Sequence, residues 1–110
     1  MLGLTPLEER CVAAFKQRVT SAVGPTATTF RLFGSRARGE SHEESDVDVL
    51  VLLTKSNRAT KEMIWDIAND LLLEEWVHIA PLVMSVEEFQ TLLDRERRIA
   101  LDIQAEGIPL

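Results

Sequence analysis

Seven consecutive residues, Val47-Asp48-Val49-Leu50-Val51-Leu52-Leu53, constrain this chain more than any others, because all but one are apolar. A strand with one face in water alternates apolar and polar side chains. A nearly continuous apolar run therefore predicts a central strand covered on both faces by other elements. The single charge in the run is Asp48. An ionised carboxylate in such a strand is costly unless a cation or water compensates it, so Asp48 asks for a functional explanation.

The flanking sequence supplies the covering elements. Thr5-Pro6-Leu7-Glu8 has the form of a capping box with proline at the first helical position, and Leu7, Cys11, Ala14, Phe15, Val19 and Ala22 follow at helical spacing. This predicts a helix from Pro6 to Val23 that stops at Gly24-Pro25. Residues 28–33 are β-branched and aromatic and end at Gly34, as a strand would. Ser56 or Asn57 can cap a helix with Ile64, Ile67, Ala68, Leu71 and Leu72 on one face. Residues 76–84 read as a third strand, which Pro81 assigns to a sheet edge or a bulge. Ser85-Val86-Glu87-Glu88 is a second capping box. It opens one helix with apolar positions Phe89, Leu92, Leu93, Ile99, Ala100 and Ile103, and Gly107 as its stop. The mixed charges of residues 94–98 inside that helix read as a solvated face, with partner docking as the minor reading. The expected order is α-β-β-α-β-α: an α/β (α+β) fold of one small sheet with helices against it, residues 1–110 forming a single domain.

Composition works by exclusion. Eighteen acidic residues against 12 basic ones give a net charge of −6. That is the wrong sign for a protein that holds nucleic acid mainly through its phosphates, so no direct nucleic-acid partner is expected. Cys11 is the one cysteine; it cannot form an intramolecular disulfide or hold zinc alone, and its place on the apolar stripe marks it as a core residue. No apolar run approaches the roughly 18 residues of a membrane helix, and Glu8, Glu9 and Arg10 interrupt the segment where a signal peptide would be apolar. A cytoplasmic protein without membrane association is expected. His42 is assigned no role.

Chemistry concentrates between the first two strands. Gly34-Ser35 ends one, ten residues intervene, and Asp46-x-Asp48 opens the next. Because side chains alternate along a strand, the two aspartates project from one face, about 6.5 to 7 Å apart. Two carboxylates so placed can share a hard cation, and magnesium, which prefers oxygen ligands and bridges to substrate phosphates, suits them. The other half is Gly34-Ser35-Arg36-Ala37-Arg38-Gly39. Gly34 allows close approach of a ligand to the backbone, Ser35 adds a hydroxyl, and Arg36 and Arg38 carry guanidinium groups that match phosphate oxygens. A metal-bound nucleoside triphosphate needs both halves. The sequence has neither Gly-x-Ser-x-Gly nor the P-loop pattern, which removes serine hydrolases of that type and P-loop ATPases.

At these residues the chain resembles the minimal nucleotidyltransferase (MNT) family of the DNA polymerase β-like nucleotidyltransferase superfamily, whose signature is Gly-Ser, ten residues, Asp-x-Asp. Arg36-Ala37-Arg38-Gly39, Ser45-Asp46-Val47-Asp48, the Pro81 to Ser85 strand end and the closing Glu106-Gly107-Ile108 extend the likeness over essentially the whole chain. The resemblance implies a mixed sheet flanked by helices, a triphosphate against Gly34 and Ser35, and magnesium, with two ions allowed, held by Asp46 and Asp48. It also implies ATP as substrate and a HEPN-domain toxin as partner, neutralised by transfer of AMP to a hydroxyl. Trp65, Trp76 and the charged stretch from Arg95 to Arg98 offer interface chemistry for such a partner, and a homo-oligomer is a further expectation.

One residue departs from the family pattern. Active members carry a third carboxylate on a neighbouring strand, and His78 stands where that acid is expected. The leading expectation is an adenylylating antitoxin with Asp46 and Asp48 as catalytic and metal-binding residues, and Gly34, Ser35, Arg36 and Arg38 at the nucleotide. The alternative is a nucleotide-binding module that inhibits its partner by forming a complex, with chemistry weakened by His78. Adenylylation of a small molecule such as an aminoglycoside ranks lower, since 110 residues leave little from which to build an acceptor pocket.

Overall fold

The structure is a computed structural model that describes residues 3–39 and 46–110. His42 and Ser45 lie outside the described residues. Helix α1 (Pro6–Val23) starts at the expected capping box: Thr5 accepts from the Glu8 backbone N–H and Glu8 accepts from that of Thr5. Strands β1 (Ala27–Phe33) and β2 (Val47–Leu53) pair antiparallel; helix α2 (Arg58–Glu75), capped by Asn57, then crosses over to β3 (Ile79–Ser85), which lies parallel to β2. With a short last strand, β4 (Ile108–Pro109), the sheet is mixed, in the order β3-β2-β1-β4. Pro81 is accordingly on an edge strand, where its missing N–H costs no ladder bond.

Strand β2 is covered on both faces. Val47, Val49, Val51 and Leu53 join Phe15 and Val19 of α1 and Ile64, Ala68 and Leu71 of α2 in one cluster. Leu50 and Leu52 point the other way, into a second cluster with Met84, Phe89, Ala100 and Ile103. Each of these buried large side chains contributes about 1.5 to 3 kcal/mol by leaving water. Asp48 shares the face of Leu50 and Leu52, at the end of the strand that the second cluster leaves uncovered.

Three local expectations need correction. The segment read as strand from residue 76 begins as helix end: Trp76 is the left-handed C-cap of α2, with φ 58°, and β3 starts only at Ile79. The single last helix is two, α3 (Val86–Asp94) and α4 (Arg98–Glu106). Between them Glu96, at φ 53°, closes a Schellman motif in which Arg97 N–H reaches the Leu92 carbonyl and Glu96 N–H that of Leu93. One straight helix over residues 86–106 would extend about 31 Å, whereas four strands span only about 14 Å. The elbow lets the chain cross the sheet from β3 to β1. There a short final strand, β4 (Ile108–Pro109), pairs with Leu32 and Arg31, an addition to the expected order.

Among the described residues no helix is long and apolar enough to cross a membrane. Cys11 is buried, as its place on the stripe of α1 required.

Candidate active site

The turn after β1 and the start of β2 meet at one atom pair. Gly34 has φ 74°, a conformation that favours glycine, and a Cβ built there would lie 2.5 Å from Asp48 Oδ2. The Gly-Ser turn and the second aspartate are thus packed against each other, which sequence spacing implied without showing. Beyond Gly34 the backbone coils through residues 35–39, with Ala37 N–H and Arg38 N–H donating to the Gly34 carbonyl and Gly39 N–H to that of Arg36. We expect Gly34→Ala to cost about 1 to 2 kcal/mol from backbone strain alone, to displace Asp48, and to lower the melting temperature by roughly 5 °C or more in a thermal scan.

Asp46 sits just before β2, where His78, just before β3, faces it: His78 Nδ1 lies 2.7 Å from Asp46 Oδ1, and both side chains are about half exposed. The parallel register, with Asp48 beside Ala80, places His78 in the row of Asp46 and on the open side of the sheet. Burial pushes the Asp48 carboxyl above its ordinary value of 3.8 and the charge of Asp46 pushes it further, while His78 pulls it back. Among the described residues no three acidic, histidine or cysteine side chains gather closely enough to hold an ion unaided. Two carboxylates that burden each other do fit a cation that completes its shell with water and phosphate oxygens, the habit of magnesium.

The two arginines have different surroundings. Arg38 is exposed and pairs with Glu106 of α4 at 3.2 Å. Arg36 is 2% exposed, and its guanidinium donates to Glu8 Oε1 at 2.6 Å and to the Gly3 carbonyl at 2.9 Å. Its own carbonyl accepts from Gly3 N–H. This arginine ties the turn to the start of α1; a guanidinium so enclosed reaches a phosphate only by leaving those partners. Burial works against the charge on Glu8, but the hydrogen bond from Arg36 and then those from Thr5 hold its pKa below the ordinary 4.5. The stability this gives is present above pH 4.5 and is lost as pH falls through the lowered value. Glu8→Ala should cost about 3 kcal/mol at pH 7, measured by urea denaturation, by stripping the buried guanidinium of its carboxylate.

Sequence reasoning missed one wall of the site. Helix α4 presents Ile99, Asp102, Ile103 and Glu106, at helical spacing, to a cleft of about 360 Å³ that also touches Phe33, Gly34, Arg38 and Arg98. The signal was a stripe that mixes apolar and acidic residues, unlike a core-facing one.

A glycine turn packed against the aspartate-bearing start of a central strand of a mixed sheet is the arrangement the sequence led us to expect of a nucleotidyltransferase. Residues 11–103 match the family model described as nucleotidyltransferase domain, and the chain belongs to that family. Two relatives in Methanocaldococcus jannaschii bear the names "Putative protein adenylyltransferase MJ0141" and "Putative protein adenylyltransferase MJ0604". The first is 28% identical over 84% of this chain and 94% of its own length, the second 33% identical over 74% and 78%. In fold the chain is similar to a structure described as a "putative minimal nucleotidyltransferase", with TM-score 0.61 and 24% identity over 96% of this chain and 97% of that one. It is also similar to a chain of a toxin-antitoxin structure, MntA-HpeT, with TM-score 0.56 and 17% identity over 90% of this chain and 70% of that one. A further toxin-antitoxin structure, with AMP-PNP, matches with TM-score 0.56 and 18% identity over 87% and 69%.

Proposed function

We propose that this nucleotidyltransferase transfers AMP from ATP to a hydroxyl on a partner protein, with magnesium, and that the partner is a HEPN-domain RNase toxin which the chain neutralises in the cytoplasm. The observation that carries the reading is Asp48 packed on Gly34, which brings the carboxylate that this reading assigns to magnesium against the turn that it assigns to the phosphates. The names of the two archaeal relatives support protein adenylylation, and the toxin-antitoxin neighbours support a toxin as partner. The AMP-PNP complex of one neighbour supports ATP as donor.

In this reading Gly34 and Ser35 hold the β- and γ-phosphates, Arg38 offsets their charge, and Arg36 keeps the turn in place from beneath. Asp46 and Asp48 would hold magnesium, which when bound neutralises charge on the phosphates. The acceptor oxygen bonds to the α-phosphorus as the bond from that phosphorus to the bridging oxygen breaks, and pyrophosphate leaves. With Nδ1 of His78 engaged by Asp46, Nε2 is the nitrogen left to take the hydroxyl proton. The test is to incubate the chain with its co-purified partner and ATP labelled at either the α- or the γ-phosphate. Label from the α position alone is the expected result; transfer from the γ position, or from neither, contradicts it.

The second reading, a binding module that inhibits by complex formation, is favoured by one observation: an imidazole occupies the neighbourhood of Asp46 where a third carboxylate is expected. In that case the complex forms and growth is rescued with no label transferred.

A further inference from the structure

We propose that the flank of α2 that ends at Trp76 is the docking surface for the acceptor protein, and that it fits an apolar hollow rimmed by lysine and arginine; this rests on the reading above. Trp76 is the strongest sign. It caps α2 in the left-handed conformation, with φ 58°, where glycine is the usual residue and a bulky side chain is strained. Burial does not offset that strain, because the residue is 87% exposed. Neither the backbone nor the core explains a tryptophan there. An anchor for a partner does, since tryptophan is enriched among the residues that dominate binding at interfaces. Leu73, 78% exposed, and Trp65, 42% exposed, precede it by three and eleven residues, on one side of the helix. Leu71, Glu74 and Glu75 turn to a cleft against α1, so that side looks away from α1.

The surrounding charges state the partner's chemistry. Residues 62–77 contain Glu62, Asp66, Asp70, Glu74 and Glu75 and neither lysine nor arginine. The first four recur every four residues, so each carboxylate has a neighbour of its own charge, an arrangement that weakens an isolated helix. Glu74 and Glu75 also stand in the last turn, the end of the helix dipole that favours cations. Arg58 pairs with Glu62 and Arg18 with Glu74, but among the described residues Asp66 and Asp70 make no ion pair. A basic surface answers that row. A second copy of this chain, at net charge −6, would set the row against itself, and nucleic acid or anionic lipid would be repelled. A protein that cleaves RNA, by contrast, holds a polyanion and needs lysine and arginine to do so. Position agrees as well. His78, which takes the acceptor's proton in the reading above, follows Trp76 by two residues, about 7 Å of backbone at most.

The test measures binding of the purified partner RNase to the full chain, with AMP transfer and magnesium-ATP affinity followed in the same proteins. Trp76→Gly places glycine where the backbone favours it, so the melting temperature should hold or rise, while partner affinity falls by about tenfold or more. Its KM for the partner should rise correspondingly, with kcat and magnesium-ATP affinity nearly unchanged. Asp66→Lys combined with Asp70→Lys should slow association at low salt by about tenfold or more and flatten its dependence on salt. Unchanged partner affinity in Trp76→Gly, or unchanged association in the lysine variant, overturns the surface. A loss of magnesium-ATP affinity as large as the loss of partner affinity overturns it too, because the changes would then act through the site. A wild type that transfers AMP, matched by Trp76→Gly at low partner concentration, sinks the surface and spares the function. A wild type that binds through Trp76 and transfers no label keeps the surface and sinks the transfer. If the wild type binds no partner, both fall.

Discussion

We expect Asp48→Asn to abolish magnesium-dependent ATP binding and to make the ligand-free protein more stable at neutral pH. The two effects share one cause. Asp48 is a carboxylate at the uncovered end of an otherwise apolar strand, raised in pKa first by burial and then by Asp46. A group whose folded pKa is raised favours folding when protonated: that contribution is fully present below its ordinary value of 3.8 and is lost as pH rises through the raised one. Asparagine removes the penalty, so the variant's advantage in urea denaturation appears at neutral pH and vanishes towards pH 3. In the proposed function it also removes a charged oxygen that would hold magnesium, and affinity for magnesium-ATP should fall by at least 100-fold in calorimetry. Asp46→Asn should lose binding similarly. A variant that binds ATP as well as the wild type would remove Asp48 from the site.

The second large effect is at His78. If Nε2 takes the acceptor proton, His78→Ala lowers AMP transfer by about 10² to 10⁴, the usual cost of losing a general base, and leaves magnesium-ATP affinity nearly unchanged. His78→Asp puts a third oxygen anion beside Asp46 and Asp48. It should tighten magnesium binding, and the added like charge should destabilise the ligand-free protein. Transfer that appears only in His78→Asp would favour the inhibitory binding module. If neither substitution alters metal binding or transfer, His78 has no part in the site despite its 2.7 Å approach to Asp46.

Much of this was legible in the residues themselves. The capping boxes at Thr5 and Ser85, the breaker at Gly24-Pro25 and the run from Val47 to Leu53 each act locally, and the elements they start or stop match those observed. What escaped was set by tertiary demands. The elbow at Glu96 carries no glycine, asparagine or proline, and the apolar positions on either side keep the phase of one helix, so periodicity could not reveal it. Strand β4 is two residues long and exists only because the elbow returns the chain to the edge of β1. In the site, the closeness of Gly34 to Asp48 followed from the hairpin-like pairing of β1 with β2. The burial of Arg36 did not, because its partner Glu8 lies far away in sequence. The wall built by Ile99 and Asp102 was hidden behind the misread helix.

The most direct measurement is the intact mass of the protein that co-purifies with this chain from cells, compared between wild type and Asp48→Asn. The account predicts that the partner from wild-type cells is heavier by one adenylyl group per modified hydroxyl, and that the increment is absent with Asp48→Asn. A partner that stays unmodified beside the wild-type chain, with ATP and magnesium saturating, would contradict it.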